Sequence, residues 1–458
     1  MRVLIQLRLS PDIVNAVADP AVITTAADVA GRLAGPLPGV VIDESFAPLT
    51  LVLPQPASPR GDPLSLNQPL SFSTAPQDTH VLIRGEIDAD DVTSHARLLR
   101  STVREVTGVF ADPSVEHHLT CAGSGAVGDW HDVRRLLHTS ELWQAGCDGD
   151  GVMLAVADGG FNYEHIKAHL GAELKVDATR SWSPPGAPHT PGRYEVAHGT
   201  MCAFDALLAA PKATLLDIAV IQSRTPGGPG NTAGFLSDAV AAYAHLHLQL
   251  TTMPAESRKL VISNSWGVYN SDQDFPVGHP GNYSDNPSHP FNTMVASLEN
   301  AGADIVFSAG NCGRQCAAPN CNLGERSIAG ANGHPKVLTV GGVDTHDERV
   351  GYSSEGPGRL TDHKPDICAY THFTGSQFDG PTVPDNGTSA ACPVAAGVVA
   401  AIRARWSVLE LPPGRLRSLL QATAQDRSTQ GFDYDYGYGI INPLAVVAAL
   451  DEQARRAA

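Results

Sequence analysis

Hydrophobic and polar positions alternate over residues 1–8, Met-Arg-Val-Leu-Ile-Gln-Leu-Arg, which predicts a strand. Spaced Ile, Val, Leu and Ala over residues 11–34 predict a helix, and residues 40–42 and 49–53 return to strand. Residues 54–77 are rich in Pro and Ser and read as a loop. A strand at 80–85 and an amphipathic helix at 89–107 follow. That helix carries Asp at its start, where the helix dipole favours negative charge. Val109-Phe110 opens a last short strand. The order β-α-β then β-α-β predicts a small ferredoxin-like α+β domain over residues 1–116.

Residues 117–129, with Gly at 123, 125 and 128, read as a flexible linker. Beyond them the pattern changes. Residues 132–145 read as helix, and 152–157 form a continuous apolar run, the mark of a strand buried on both faces. Similar runs recur at 215–221, 260–263, 305–308 and 337–340, separated by helical patterns at 234–250, 291–301 and 393–405. Such alternation predicts an α/β domain over 130–458, a parallel sheet covered by helices on both faces. In such sheets the ligand site lies at the carboxyl ends of the strands.

Composition adds exclusions. The chain has 458 residues, 42% of them hydrophobic, and a formal net charge of −17. That charge argues against nucleic acid or an anionic membrane as partner, since both need basic surface. No run of 18 apolar residues occurs, so no membrane-spanning helix is expected. The first residues lack the pattern of a secretion signal, so a cytoplasmic location is the expectation. In that compartment most of the eight cysteines would be free and buried.

The chemistry gathers at predicted strand ends and helix starts. Asp158 follows the first buried strand, in Ala157-Asp158-Gly159-Gly160. His198-Gly199-Thr200 precedes a helical run over 201–210. Asn311 ends the strand at 305–309, in Ala309-Gly310-Asn311. Gly387-Thr388-Ser389 enters an apolar helix, with Pro393 expected in its first turn. Singly, these are a turn Asp, a structural His, a turn Asn and a Ser N-cap. Together they supply an acid, a base, an amide donor and a hydroxyl nucleophile at one edge of the sheet. Cys312, Cys316 and Cys321 cluster just after Asn311 and read as a loop disulfide, free thiols or, with no fourth ligand in view, a weak zinc site.

These motifs resemble the subtilisin-like serine proteases, the subtilases. The matching segments are Val156-Ala157-Asp158-Gly159-Gly160, His198-Gly199-Thr200, Ser308-Ala309-Gly310-Asn311 and Gly387-Thr388-Ser389-Ala390-Ala391-Cys392-Pro393. Their order, Asp, His, Ser, is that of subtilisin. Ser263-Asn264-Ser265-Trp266-Gly267 resembles the family's substrate-binding strand, and Tyr436-Gly437-Tyr438-Gly439 its closing turn. Two departures stand out: Gly159 where the family usually has Ser or Thr, and Met201 in place of a second His. The resemblance implies a serine endopeptidase with Asp158, His198 and Ser389 as triad and Asn311 as oxyanion donor. It implies substrate binding along Ser265, Trp266 and Gly267, and a pocket beside Ser308, Ala309 and Gly310. No cofactor is needed for the chemistry. A structural calcium is in keeping with the family, and the polar stretch 269–292, with Asp272, Asp274, Asn282, Asp285 and Asn286, is where it would sit beside the cleft. The expected partners are a peptide or protein substrate and the N-terminal domain, which resembles a prodomain docking on the protease. Two other readings share the motifs: a catalytically silent peptide-binding subtilase fold, and a protease dedicated to maturing one partner peptide.

Overall fold

The structure is a computed structural model that describes residues 1–19, 22, 24–52, 79–117, 120, 125–222 and 233–457. The Pro/Ser-rich loop expected at 54–77 lies outside the described residues.

The N-terminal unit runs β1 (Arg2–Leu7), α1 (Pro11–Ala18), α2 (Ala26–Ala30), β2 (Val41–Ile42), β3 (Leu49–Val52), β4 (Thr79–Glu86), α3 (Val92–Thr102) and β5 (Val106–Ala111). Its sheet has the order β2-β4-β1-β5, with β3 also on β4, and all pairings are antiparallel. This is the ferredoxin-like order. The helix expected over 11–34 is two short ones, because Thr25 starts a second with its own capping box. The helix expected to reach residue 107 ends at Thr102, since Val106 already pairs with Leu7 of β1.

A further strand, β6 (Ser114–His117), leaves this sheet. The second unit continues with α4 (Trp130–Leu136), α5 (Thr139–Gln144), β7 (Met153–Ala157), α6 (Tyr163–Leu170), β8 (Lys175–Val176) and α7 (His198–Leu207). Then come β9 (Thr214–Ile218), β10 (Ala233–Phe235), α8 (Leu236–Thr251), β11 (Leu260–Asn264), β12 (Trp266–Gly267), α9 (Pro290–Asn300) and β13 (Asp304–Ser308). The chain closes with β14 (Leu338–Val343), β15 (Ile367–Tyr370), α10 (Thr388–Arg405), α11 (Pro413–Thr423) and α12 (Pro443–Ala457). The single helix expected at 132–145 is broken between α4 and α5, where His138 takes a left-handed conformation with φ 52°.

Seven parallel strands form the main sheet in the order β15-β14-β13-β11-β7-β9-β8. One face is covered by α7 and α10, the other by α8 and α9, with a separate apolar core on each side. Helix α10 is buried along nearly its whole length, from Thr388 to Arg403. A helix apolar on every side belongs in a core rather than on a surface. Its one buried charge, Arg403, is matched by Asp304 through Nε–Oδ2 at 2.5 Å and Nη2–Oδ1 at 2.9 Å. No helix among the described residues is long and apolar enough to cross a membrane.

Candidate active site

The carboxyl ends of the central strands hold the four residues singled out from the sequence. Asp158 follows β7 and is buried. Its Oδ1 accepts the N–H of Gly159 at 2.7 Å, and His198 Nδ1 lies 3.0 and 3.1 Å from its two oxygens. Burial alone would push this carboxyl up, but the adjacent imidazole and the Gly159 N–H outweigh it and hold it below its ordinary range. Gly159 gives Asp158 its backbone N–H and has no side-chain hydroxyl to add.

His198 is the first residue of α7. With Nδ1 turned to Asp158, its Nε2 is buried and has no hydrogen-bond partner among the described residues. Ser389, second residue of α10, is 1% exposed, and its Oγ donates to the Ser265 carbonyl at 3.4 Å. Pro393 is the sixth helical residue, in the second turn rather than the first. It has no N–H for the carbonyl four residues back, which is that of Ser389. Ser265 Oγ fills the gap, donating to Ser389 O at 2.8 Å. The proline thus frees the Ser389 carbonyl for an anchor on Ser265.

Asn311 accepts from Thr388 N and Oγ1 through Oδ1, at 2.9 and 3.0 Å, which fixes the direction of its amide. A Cβ on Gly387 would lie 2.8 Å from Asn311 Nδ2, so that position, at φ 75°, has two reasons to be glycine. Cys202, one turn beyond His198, packs beneath the group: its Sγ is 3.6 Å from Asp158 Oδ2, 3.7 Å from His198 Nδ1 and 3.6 Å from Ser389 O. Burial and the Asp158 charge push its thiol well up, so it is a neutral packing group.

The expected substrate strand divides its labour. Trp266 and Gly267 form β12, while the Trp266 ring turns inward onto Phe291 and Phe307. Ser265 acts through its hydroxyl and carbonyl, both on Ser389. Ser308, Ala309 and Gly310 line the facing segment, and Asn332 ties the two sides, donating from Nδ2 to Trp266 O and Ser308 O at 2.9 Å each. A cavity of about 640 Å³ opens beside Asp158 and His198, bounded by Tyr194, Glu195, Val196, Gln222 and Asn386.

The strand by which the N-terminal unit enters the cleft is one that the sequence pattern does not predict. Strand β6 lies between β10 and β12, antiparallel to both: Glu116 opposite Ala233 and Gly267, and His117 opposite Trp266. The His117 ring stacks on His198 with centroids 4.5 Å apart. Residue 117 therefore does not begin a linker. Residues 127–129 are anchored too: Val127 N donates to His372 O at 2.8 Å and Thr374 N to Gly128 O at 3.0 Å. Of the expected linker, 118, 119 and 121–124 lie outside the described residues.

Two metal expectations meet the structure differently. Cys312 and Cys321 form a disulfide, which removes the thiolate trio a zinc site would need. Cys147, Cys202, Cys368 and Cys392 are free and buried. In the 269–292 stretch, Asp274 spends both oxygens on Phe275 N, Tyr283 N, Ser284 N and Ser284 Oγ, at 2.7 to 3.0 Å. Asn282 and Asp285 likewise engage backbone groups. Asp274 thus braces a loop and has no oxygen to spare for a calcium ion, while Asp285 keeps one buried oxygen, Oδ1, without a hydrogen-bond partner among the described residues. That loop carries the N-terminal unit: Ala111 N donates to Gly281 O, and His289 Nε2 lies 2.9 Å from Ala111 O.

Fold and site together define an α/β protein with an acid, a histidine and a serine converging on a peptide-shaped groove. The chain belongs to the subtilase family, whose profile matches residues 149–439. Furin-1 of Xenopus laevis is 23% identical over 342 residues, covering 69% of this chain and 39% of that protein. The dibasic-processing endoprotease of Yarrowia lipolytica is 25% identical, covering 69% of this chain and 32% of its own length. A calcium-dependent protease of Nostoc is 26% identical, covering 67% and 47%. The chain thus spans less than half the length of these relatives. Among solved structures, MycP1 from the ESX-1 type VII secretion system superposes with a TM-score of 0.49 at 19% identity, covering 74% of this chain and 92% of that one.

Proposed function

We propose that the chain is a serine endopeptidase whose cleft is occupied, in the state described, by its own strand β6. The observation that carries the reading is the His198 ring, held at Nδ1 by Asp158 with Nε2 left for a proton from Ser389. In this mechanism Ser389 Oγ attacks a peptide carbonyl carbon while His198 Nε2 takes the hydroxyl proton. Asp158 fixes the tautomer and stabilises the imidazolium. The oxyanion is met by Asn311 Nδ2 and the Ser389 N–H at the helix start. His198 returns the proton to the leaving amine, and water then hydrolyses the acyl-enzyme. The Ser389–His198 hydrogen bond forms when substrate displaces Ser389 Oγ from the Ser265 carbonyl.

Substrate binds extended between β10 and β12, in the place β6 holds now. Tethering gives β6 a high effective concentration, so the N-terminal unit acts as an intramolecular competitor. The occupied cleft also favours a second reading, a protease held for one partner peptide that displaces β6. A fluorophosphonate probe tests the chemistry. Labelling at Ser389, lost in Ser389→Ala, supports the peptidase. A folded chain that stays unlabelled even after β6 is loosened supports a silent peptide-binding fold instead.

A further inference from the structure

We propose that Asn320 is a specificity-determining residue that selects peptides with a hydrogen-bond-accepting side chain, Glu above all, at the position Glu116 holds in the cleft. The inference rests on the peptidase reading and names part of its substrate class.

Strand β6 is paired on both sides, so an incoming extended peptide inherits its register through the same backbone bonds. Side chains alternate along such a strand. Val115 is buried in the core shared by both units, and two residues on His117 lies over His198. Glu116, between them, points the other way. There its Oε1 accepts from Asn320 Nδ2 at 2.8 Å.

Asn320 is held ready for this contact. Its loop is closed by the Cys312–Cys321 disulfide and begins next to Asn311. Ala318 N donates to Asn311 O at 2.7 Å, and Asn322 N to Tyr269 O at 3.1 Å. Asn322 Nδ2 donates to Asn270 Oδ1 at 2.8 Å, and Ser271 N to Asn322 Oδ1 at 2.7 Å. The loop is therefore stapled to the oxyanion residue at one end and to the segment after β12 at the other. Asn320 turns its amide donor toward the strand, and its Oδ1 is buried without a hydrogen-bond partner among the described residues. An amide N–H accommodates Glu, Asp, Gln or Asn as acceptors. Lys and Arg carry no acceptor and would oppose two sets of donors. The subsite as held in this structure thus favours an accepting side chain over a basic one at this one position. Because the donor is neutral, it reads accepting capacity and imposes no requirement for a charge.

Two measurements on the full chain test this. The first is a cleavage profile on a peptide library with the N-terminal unit in place. Wild type should enrich Glu, Asp and Gln at the residue preceding the one over His198. Asn320→Ala should lose roughly tenfold in kcat/KM for Glu peptides at that position and little for Ala peptides. Asn320→Asp should shift preference to Lys and Arg. The second needs no turnover: amide hydrogen exchange of Ser114–His117 in the Ser389→Ala chain. Glu116→Ala and Asn320→Ala should each speed exchange, with no further gain in the double variant, and Glu116→Lys with Asn320→Asp should restore protection. A profile indifferent to Asn320, or additive exchange without rescue, overturns the subsite. Coupled exchange, together with a wild-type chain that neither labels nor cleaves, keeps the subsite and removes the peptidase.

Discussion

At the scale of single residues, the site is built from groups whose second contact fixes the first. Asn311 Oδ1 is held by Thr388, which leaves its Nδ2 beside Gly387, two residues before Ser389. Asn311→Ala should lower kcat by about 10²–10³, the range known for one such donor in subtilisin, with KM little changed. A change confined to KM would remove Asn311 from the oxyanion site. His117 makes a pH prediction. Burial, then the facing His198, lowers its pKa from 6.5 to about 4, partly opposed by Asp158. Folded β6 therefore prefers the neutral ring, while a released strand protonates near 6.5. The contribution of His117 to docking is intact above about pH 6.5 and is lost as pH falls toward 4. Exchange of the Val115–His117 amides should speed over that window, and His117→Phe should flatten the dependence.

At the scale of elements, the proposed catalysis rests on how α7 meets α10. Each carries one candidate catalytic residue in its first turn. Gly397 of α10 lies so close to α7 that a Cβ would overlap the Ala206 carbonyl. Gly397→Ala should force the helices apart, lowering the melting temperature and fluorophosphonate labelling together. A second link joins Asp205, seven residues beyond His198, to Asp385, four residues before Ser389. Both carboxyls are buried and face each other. Burial raises the Asp385 pKa to about 6, against hydrogen bonds from Ser376 and the nearby His169; Asp205, buried beside it, is pushed well above its ordinary range and keeps its proton. A folded pKa above the ordinary 3.8 means this stabilisation is full below about pH 4 and lost as pH rises through about 6. Asp385→Asn should therefore gain melting temperature relative to wild type as pH rises across that range. An unchanged difference between pH 4 and 7 would dismiss the pair.

At the scale of the whole molecule, the two units meet through a buried polar network. Arg84 of β4 is 4% exposed, and its Nη1 reaches Ser237 Oγ at 3.0 Å and Asp238 Oδ1 at 3.4 Å, at the start of α8. Asp112 accepts from Ser237 N at 2.7 Å and from its hydroxyl at 2.9 Å. Removing one partner from a buried network leaves the others uncompensated. Arg84→Ala should weaken docking of the N-terminal unit, seen as faster exchange in β6 and faster probe labelling of Ser389. Slower or unchanged labelling with loosened β6 would show that the strand does not guard the cleft.

What the sequence determined by itself is the set of local transitions. Asp158, His198, Asn311 and Ser389 each sit where an apolar run changes into a turn or a helix start, and a run of side chains records that change. The buried strands were legible for the same reason, because a two-sided burial leaves an unbroken apolar stretch. Strand β6 was not legible: Ser-Val-Glu-His is short and mixed, and its partners lie some 120 to 150 residues away in the chain. Nor did the polar stretch 269–292 announce that its Asp and Asn side chains would turn onto their own backbone and carry the N-terminal unit. Only tertiary structure decides such matters, because a polar group's partner is chosen by whichever donor or acceptor the fold brings within about 3 Å, and no local pattern encodes that.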